Sequence, residues 1–393
     1  MVVPRTANIP VLASASEYFD FFDGVSKDVP ERSKEQRLAS GLLKSYLLET
    51  VDTAHGASDF QSVLRRSELA SESIGSDGQL FRVIDKSGAG VALIERISGR
   101  FLSFYTLLPS QNSDRIVRKA VSTNPLLDHL WLSSDSFYAL WDHVKESNSG
   151  RRYGRLTFEH ESVFDLDDNV DDPNPFEDER RASRFTMVDR LEEIDKRMRP
   201  LQETYDPLGS ITHLRIPANG RGGHDLYYDG KVTNRSESFL NHRSTLLYVV
   251  DMYSQLTSAV EDRLWVGEDG EGGMDGAVAE LVFNRPLSEA TFRRWVLSLF
   301  NNPRNRFRIS GFHTWLSPRK VHANAIDQHL WQPMLMELTP ERIVAVLPRG
   351  TCGNSVNRLV SNVQRFLDPR VEAFIGDVNY ASLIPRTDAV NVG

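Results

Sequence analysis

The sequence predicts an α+β protein. Strand-like runs rich in β-branched and aromatic residues are separated by turn chemistry between Leu80 and Leu107. Amphipathic stretches at helical spacing flank them. From Val278 onward the order of elements is β-α-β-β-α-β once an extra hairpin is set aside, the ferredoxin-like order. The expected architecture is therefore an N-terminal helical segment plus a mixed α+β domain, a long central helix, and a C-terminal ferredoxin-like βαββαβ domain with an extra hairpin.

Taken in order, the start to about Pro30 reads as irregular, with a helical turn at Glu17–Phe22. Helix signals begin at Glu31, and Leu38, Leu42, Leu43, Tyr46, Leu47 and Val51 recur at a spacing that predicts one amphipathic helix. A shorter helix is expected over Asp59–Leu69. Leu80–Asp85, Gly90–Arg96 and Phe101–Leu107 then read as an antiparallel meander, with turns at Lys86-Ser87-Gly88 and Ser98-Gly99. A helix at Ser113–Val121, a strand at Asp128–Leu132, a helix capped by Ser133-Ser134-Asp135 and running to Val144, and a strand at Gly154–Glu161 complete the first domain.

Between Glu159 and Glu179 the chain has ten acids and no Lys or Arg, which predicts a solvated loop. A helix is expected from Met187, ended or kinked by Pro200. Ile211–Ile216 and Leu226–Val232 read as strands. The longest helical stripe spans Ser238–Trp265, through Phe239, Leu246, Val249, Val250, Tyr253, Leu256, Val260 and Leu264. Its length suits a bundle or dimer seam as well as packing on its own sheet. Gly267–Gly276 is glycine- and acid-rich and reads as a linker.

The C-terminal unit has five expected strands: Val278–Phe283, Arg306–Leu316, Met334–Leu338, Arg342–Leu347 and Val371–Ile375. One helix is capped at Ser288 with Phe292, Trp295, Val296, Leu299 and Phe300 on its apolar face. The other carries Val356, Leu359, Val360, Val363, Phe366 and Leu367. Both helices would cover one face of an antiparallel sheet and leave the other free. The expected divisions are 1–162, an acidic loop 163–182, a connecting region 183–266 with the long helix, the linker 267–276, and the domain 277–393.

Composition narrows the class. Hydrophobic residues make up 40% and charged residues 25% of the 393, ordinary values for a globular protein. No apolar run reaches the roughly 18 residues of a membrane helix. The N-terminus lacks the basic region and continuous apolar stretch of a signal peptide. The single cysteine, Cys352, excludes an intramolecular disulfide framework and an all-cysteine zinc site. These features place the chain in the cytoplasm, and no cofactor is implied. The net charge of −8 is uneven. From Arg285 to Gly393 there are 14 Lys+Arg against 8 Asp+Glu, a surplus of six cations, so residues 1–284 carry −14. All but Lys320 of those cations are Arg, a side chain suited to phosphates and flat rings.

That bias marks a nucleic-acid surface at Arg304, Arg306, Arg308, Arg319 and Lys320. Strand periodicity puts Arg306, Arg308 and Ser310 on one face and Phe307, Ile309 and Gly311 on the other. Charge is thereby separated from rings, unlike an RNA-recognition sheet. A second candidate is the strand-to-helix loop Pro348–Ser355, where Arg349, Gly350, Gly353, Asn354 and Ser355 suggest an anion site; it lacks the lysine of a Walker loop. Third, the loop Asn219–Asp225 combines glycines with His224 and Asp225, the weak catalytic candidates.

Two metal patterns are incomplete. His313, His322 and His329 with Asp327 contain no HExxH. Asp165, Asp167, Asn169 and Asp171 match EF-hand positions, but Val170 and Phe176 stand where Gly and Glu are needed. No metal site is assigned. The acidic loop could instead mask the basic domain in cis.

The expected function is nucleic-acid binding by the Arg-rich C-terminal domain, with the acidic part serving partners or effectors. The alternatives are a metal-dependent hydrolase or nuclease, and a non-catalytic assembly subunit that oligomerises through the long helix. No complete catalytic motif is present. Partners are expected to be nucleic acid, further copies of the chain or a larger complex, and no membrane.

Overall fold

The computed structural model describes residues 8–27, 29, 41–50, 60–150, 152–161, 163–164, 182–264, 266–268, 270–271, 274–302 and 305–386. It mixes helices with antiparallel sheets, an α+β fold. In chain order it begins with α1 (Ala15–Ser26), β1 (Lys44–Thr50), α2 (Phe60–Arg66), β2 (Ala70–Ile74), β3 (Leu80–Ile84), β4 (Gly90–Arg96), β5 (Phe101–Thr106), α3 (Ser110–Thr123) and β6 (Leu127–His129). Next come α4 (Ser134–Ser147), β7 (Tyr153–Glu161), β8 (Ala182–Arg190), α5 (Leu191–Thr204), β9 (Ile211–Pro217), β10 (Gly223–Tyr227), β11 (Lys231–Asn234) and α6 (Phe239–Leu264). The remainder is β12 (Gly267–Glu268), β13 (Met274–Asp275), β14 (Ala279–Val282), α7 (Glu289–Asn301), β15 (Ile309–Ser317), β16 (Lys320–Asp327), β17 (Gln332–Leu338), β18 (Arg342–Val346), α8 (Asn354–Phe366), β19 (Glu372–Ile375) and β20 (Val378–Asn379).

Two compact units share these elements. Unit 1 is Met1–Leu130 with Arg215–Asp251, and unit 2 is Trp131–Leu214 with Met252–Gly393. Unit 1 is built on strands in the order β2-β3-β4-β5-β1-β11-β10, with β6 also pairing β1. The helix expected from Glu31 to Val51 is corrected over its described part: Lys44–Thr50 is a strand, paired with β5 and β11. All seven residues of β1 are buried. Both faces of β1 are covered, so its apolar residues do not alternate at period two, and Leu42, Leu43, Tyr46 and Leu47 satisfy helical spacing equally well. Residues 31–40 and 51 lie outside the described residues.

In unit 2, β7 and β8 form a long hairpin with Met187 opposite Leu156. The helix expected from Met187 therefore starts later, at Leu191. β2 and β16 were not foreseen, because Ser, Glu, Ala, Asn and His carry little strand propensity and only cross-strand packing selects them. The C-terminal sheet runs β15-β16-β17-β18-β14-β19-β20, seven strands against the five expected. Alternation on β16 is clean: Val321, Ala323, Ala325 and Asp327 are buried, while His322, Asn324 and Ile326 are exposed. Helix α7 starts at Ser288, whose Oγ accepts from the Thr291 amide at 3.1 Å. Its Phe292 meets Trp315 edge-on at 5.7 Å, and Trp295 meets Phe307 at 6.3 Å, closing the inner face.

Helix α8 is buried along its whole length, from Asn354 to Phe366. Its polar side is satisfied within unit 2. Asn357 donates to Thr257 Oγ1 at 3.2 Å and accepts from Tyr380 at 2.9 Å. Ser361 donates to the Leu132 carbonyl at 3.0 Å, and Gln364 accepts from the Ser134 amide at 2.8 Å. Buried polar groups need such partners, and here the helix supplies one on nearly every turn.

Candidate functional site

The described cations of the expected nucleic-acid surface each make contacts within unit 2. Arg306 and Arg308 precede β15 and so do not form the stripe that strand periodicity predicts. The Arg306 guanidinium lies over the Phe366 ring at 5.3 Å. Arg308 is buried, with φ of 53°, in a turn where the Gln328 amide donates to its carbonyl at 2.8 Å. Arg319 pairs with Glu341, and Lys320 with Glu337 at 2.8 Å. Arg304 lies outside the described residues.

Much of the cation set of the C-terminal part is paired inside unit 2. Arg365 pairs with Glu159 at 2.8 Å and also with Glu161. Arg370 lies 3.1 Å from Asp206, Arg342 lies 2.8 Å from Glu280, and Arg358 pairs with Asp327. Glu161 is held below the usual carboxylate range by Arg365, against the opposing effect of its own burial, which is the largest influence on it. A sequence count weighs charges equally wherever they end up, so the +6 of the C-terminal part overstated the field available to a polyanion.

The loop before α8 is occupied by the protein's own groups. The Gly353 amide donates to Glu261 Oε1 at 2.7 Å, which puts a carboxylate at the positive end of α8. Ser355 donates to Asp327, Asn354 accepts from Tyr253, and Thr351 donates to the Pro348 carbonyl at 2.6 Å. Arg349 and Gly350 are exposed, while Gly353, Asn354 and Ser355 are buried. Cys352 is buried as well.

His224 and Asp225 emerge on opposite faces of β10, as adjacent strand residues must. Asp225 is 1% exposed; Arg215 clasps both its oxygens at 2.7 and 2.9 Å, and Arg235 adds a third contact. On the other face, His224 Nδ1 lies 3.0 Å from Thr245 Oγ1 and Nε2 lies 3.2 Å from Ser236 Oγ. Its ring is 5.2 Å from His242, whose Nε2 meets Ser45 Oγ at 2.7 Å. Burial pushes His224 down to about 4 and His242 well below its ordinary value, so both rings are neutral at pH 7. They cannot serve one proton-transfer step with Asp225.

The histidines of unit 2 also stay apart. His313 stacks on Phe300 at 5.1 Å, and His322 faces the other side of the sheet, 3.0 Å from Glu337. His329 is buried and its amide donates to Asp327 at 2.9 Å. The EF-hand-like residues, with nearly all of the acidic loop, lie outside the described residues.

What the sequence reading missed is the open face of the C-terminal sheet. Phe312 is 87% exposed and Leu316 56%, both on β15, the edge strand of the sheet. Phe312 is in register with Asn324, which is in register with Leu335, itself 54% exposed. Ile326 adds to the patch. The charges around it are matched: Arg319, Lys320 and Arg342 each pair with a glutamate. Period-two counting from Arg306 puts Phe312 on the same face as Arg308 and Ser310, so the sequence carries the signal for its exposure.

Residues 17–380 match the model of the MJECL33-like protein family, and the chain belongs to that family. A relative from Methanocaldococcus jannaschii, the uncharacterized protein MJECL33, is 24% identical over 309 residues, covering 71% of this chain and 74% of the relative. Among the described residues no helix is long and apolar enough to cross a membrane.

Proposed function

We propose that this MJECL33-like chain is a self-associating binding subunit in which a second copy adds to the sheet at β15. The carrying observation is the edge itself. β15 is nine residues long, contains no Lys, Arg, Asp, Glu or Pro, and presents a nearly fully exposed phenylalanine. Soluble proteins blunt such edges with charge, proline or a covering element. A strand without charge can pair with its own copy with no like-charge repulsion. A two-fold axis at Thr314 would set Phe312 against Leu316 of the second copy on the same face, an apolar cross-strand pair. The long α6 is a poorer seam, because Leu246, Val249, Tyr253, Leu256, Val260 and Leu264 are already buried within the chain. The single, buried cysteine fits assembly in a reducing cytoplasm.

Light scattering on the full chain tests this. The expected particle has twice the 44.5 kDa chain mass, and Phe312→Asp shifts it to the single-chain mass with the fold intact. A wild type at single-chain mass at every concentration overturns the proposal. Salt-sensitive retention of a labelled single-stranded oligonucleotide by that species would favour the nucleic-acid reading instead.

A further inference from the structure

The face of the unit 1 sheet opposite the histidine pair carries a cationic cluster. Register places Lys44 beside Thr233, Tyr46 beside Lys231, and Thr233 beside Asp225. With Tyr227 two residues beyond Asp225, these side chains share one face. Helix α3 adds Ser113 and Asp114. Lys231 Nζ lies 2.6 Å from Asp114 Oδ1, and 5.6 and 5.7 Å from the Tyr46 and Tyr227 rings. The Tyr46 hydroxyl is 2.7 Å from Ser113 Oγ and hydrogen-bonds to Asp114. Lys44 Nζ donates to the Leu42 and Leu108 carbonyls at 3.0 and 2.7 Å. Asp225 holds the guanidiniums of Arg215 and Arg235 side by side.

The balance of charge is what singles this cluster out. Lys44, Lys231, Arg215 and Arg235 face Asp114 and Asp225. Even with Asp229, whose charge bears on Tyr46 and Tyr227, the cations outnumber the acids among the described residues. Lys44 is 5% exposed, and its pKa is lowered to about 8, chiefly by burial and also by Lys231 and Arg235, against Asp114. A network serving structure alone has no need of surplus positive charge in a half-buried place, where uncompensated charge is costly. Lys231, Arg215 and Arg235 keep side-chain exposures of 13%, 26% and 28%, so a ligand reaches them from solvent.

We propose that this cluster binds a phosphate group, held by Lys231, Arg215 and Arg235 with Lys44 beneath them. Arginine forks suit the tetrahedral oxyanion, and lysines add point charge. Asp225 is a positioning residue that aligns the two forks. Bound phosphate restores the proton of Lys44, since a nearby anion favours the charged amine. The phosphate is either free or the end of a nucleotide, whose base Tyr227 could meet.

Calorimetric titration of the full chain separates these cases, using inorganic phosphate, adenosine monophosphate and acetate at fixed ionic strength. Phosphate is expected to bind and acetate not. Tighter binding of adenosine monophosphate assigns a nucleotide source, and equal affinity assigns free phosphate. Lys231→Met and Arg235→Met should each weaken binding about tenfold or more. Wild-type affinity should fall between about pH 7.5 and 9 as Lys44 deprotonates, and Lys44→Arg should remove that fall while keeping affinity. If a methionine variant does not fold, the melting temperature of the wild type carries the test, and it should rise with phosphate. Acetate binding as well as phosphate, affinities unchanged in both variants, or a melting temperature indifferent to phosphate overturns the site.

Discussion

Arg358 on α8 and Asp327 at the end of β16 form an ion pair in which each side chain is 1% exposed. Arg358 Nε also donates to the Phe307 carbonyl at 2.8 Å, and Asp327 accepts from Ser355 and from the His329 amide. The pair thus joins the helix, the sheet and the turn before β15. Breaking a buried pair leaves one charge uncompensated, so Arg358→Met or Asp327→Asn should each lower stability by about 3–5 kcal/mol. The double variant Arg358→Met/Asp327→Asn should cost less than the two single changes together. Urea unfolding would show this, and strictly additive losses would rule out the coupling.

Gly353 is needed for close approach, since its φ of −63° is one any residue adopts. A Cβ there would lie 2.6 Å from the Thr257 carbonyl and 3.1 Å from Glu261 Cγ. Gly353→Ala should destabilise by about 1–3 kcal/mol, because backbone has to move. An unchanged denaturation midpoint would show that α6 gives way freely.

His224 and His242 make unit 1 acid-sensitive. Both have folded-state pKa values below the ordinary 6.5, which the unfolded chain retains. The unfolded state therefore binds more protons, and the stability these rings contribute is complete above about pH 6.5. It is lost as pH falls toward the His224 value of about 4, by about 3 kcal/mol for that residue. His224→Gln should flatten the decline in melting temperature between pH 6.5 and 4. A variant as acid-sensitive as the wild type would place the effect elsewhere.

Thr314 sits outward on the β15 edge. Thr314→Lys adds the guard that natural edges carry, and two copies would bring two lysines together at the two-fold axis. The dimer dissociation constant should rise about tenfold or more, about 1.4 kcal/mol. Sedimentation across a concentration series measures it. A constant that stays put would remove β15 from the interface.

Where local pattern and final environment agree, elements were legible. β4 lies at Gly90–Arg96 as expected, α4 starts from its Ser133 cap, and α6 runs within one residue of the expected bounds where described. These segments carry one apolar face or a strong cap, so their period shows in isolation. β1 failed because burial on both faces erases the period. β16 alternates apolar and polar residues, but its alanines, asparagine and histidine carry little strand propensity. The candidate sites depend on placement in space, which local pattern does not show. Arg306, Arg308, Gly353 and Ser355 have the chemistry of an anion site, and each also makes contacts within the protein.

The sequence by itself determined the α+β class, most helices and strands, and the uneven distribution of charge. Those follow from interactions between residues a few positions apart, or from simple counts. Tertiary structure alone decided that Arg358 and Arg365 neutralise buried acids, and that Lys44, Lys231, Arg215 and Arg235 meet on one face of a sheet. Lys44 and Lys231 are far apart in the chain and diagonal to one another across one strand pair. Coulomb energy depends on that distance in space and on the local dielectric, and neither is written in the order of residues.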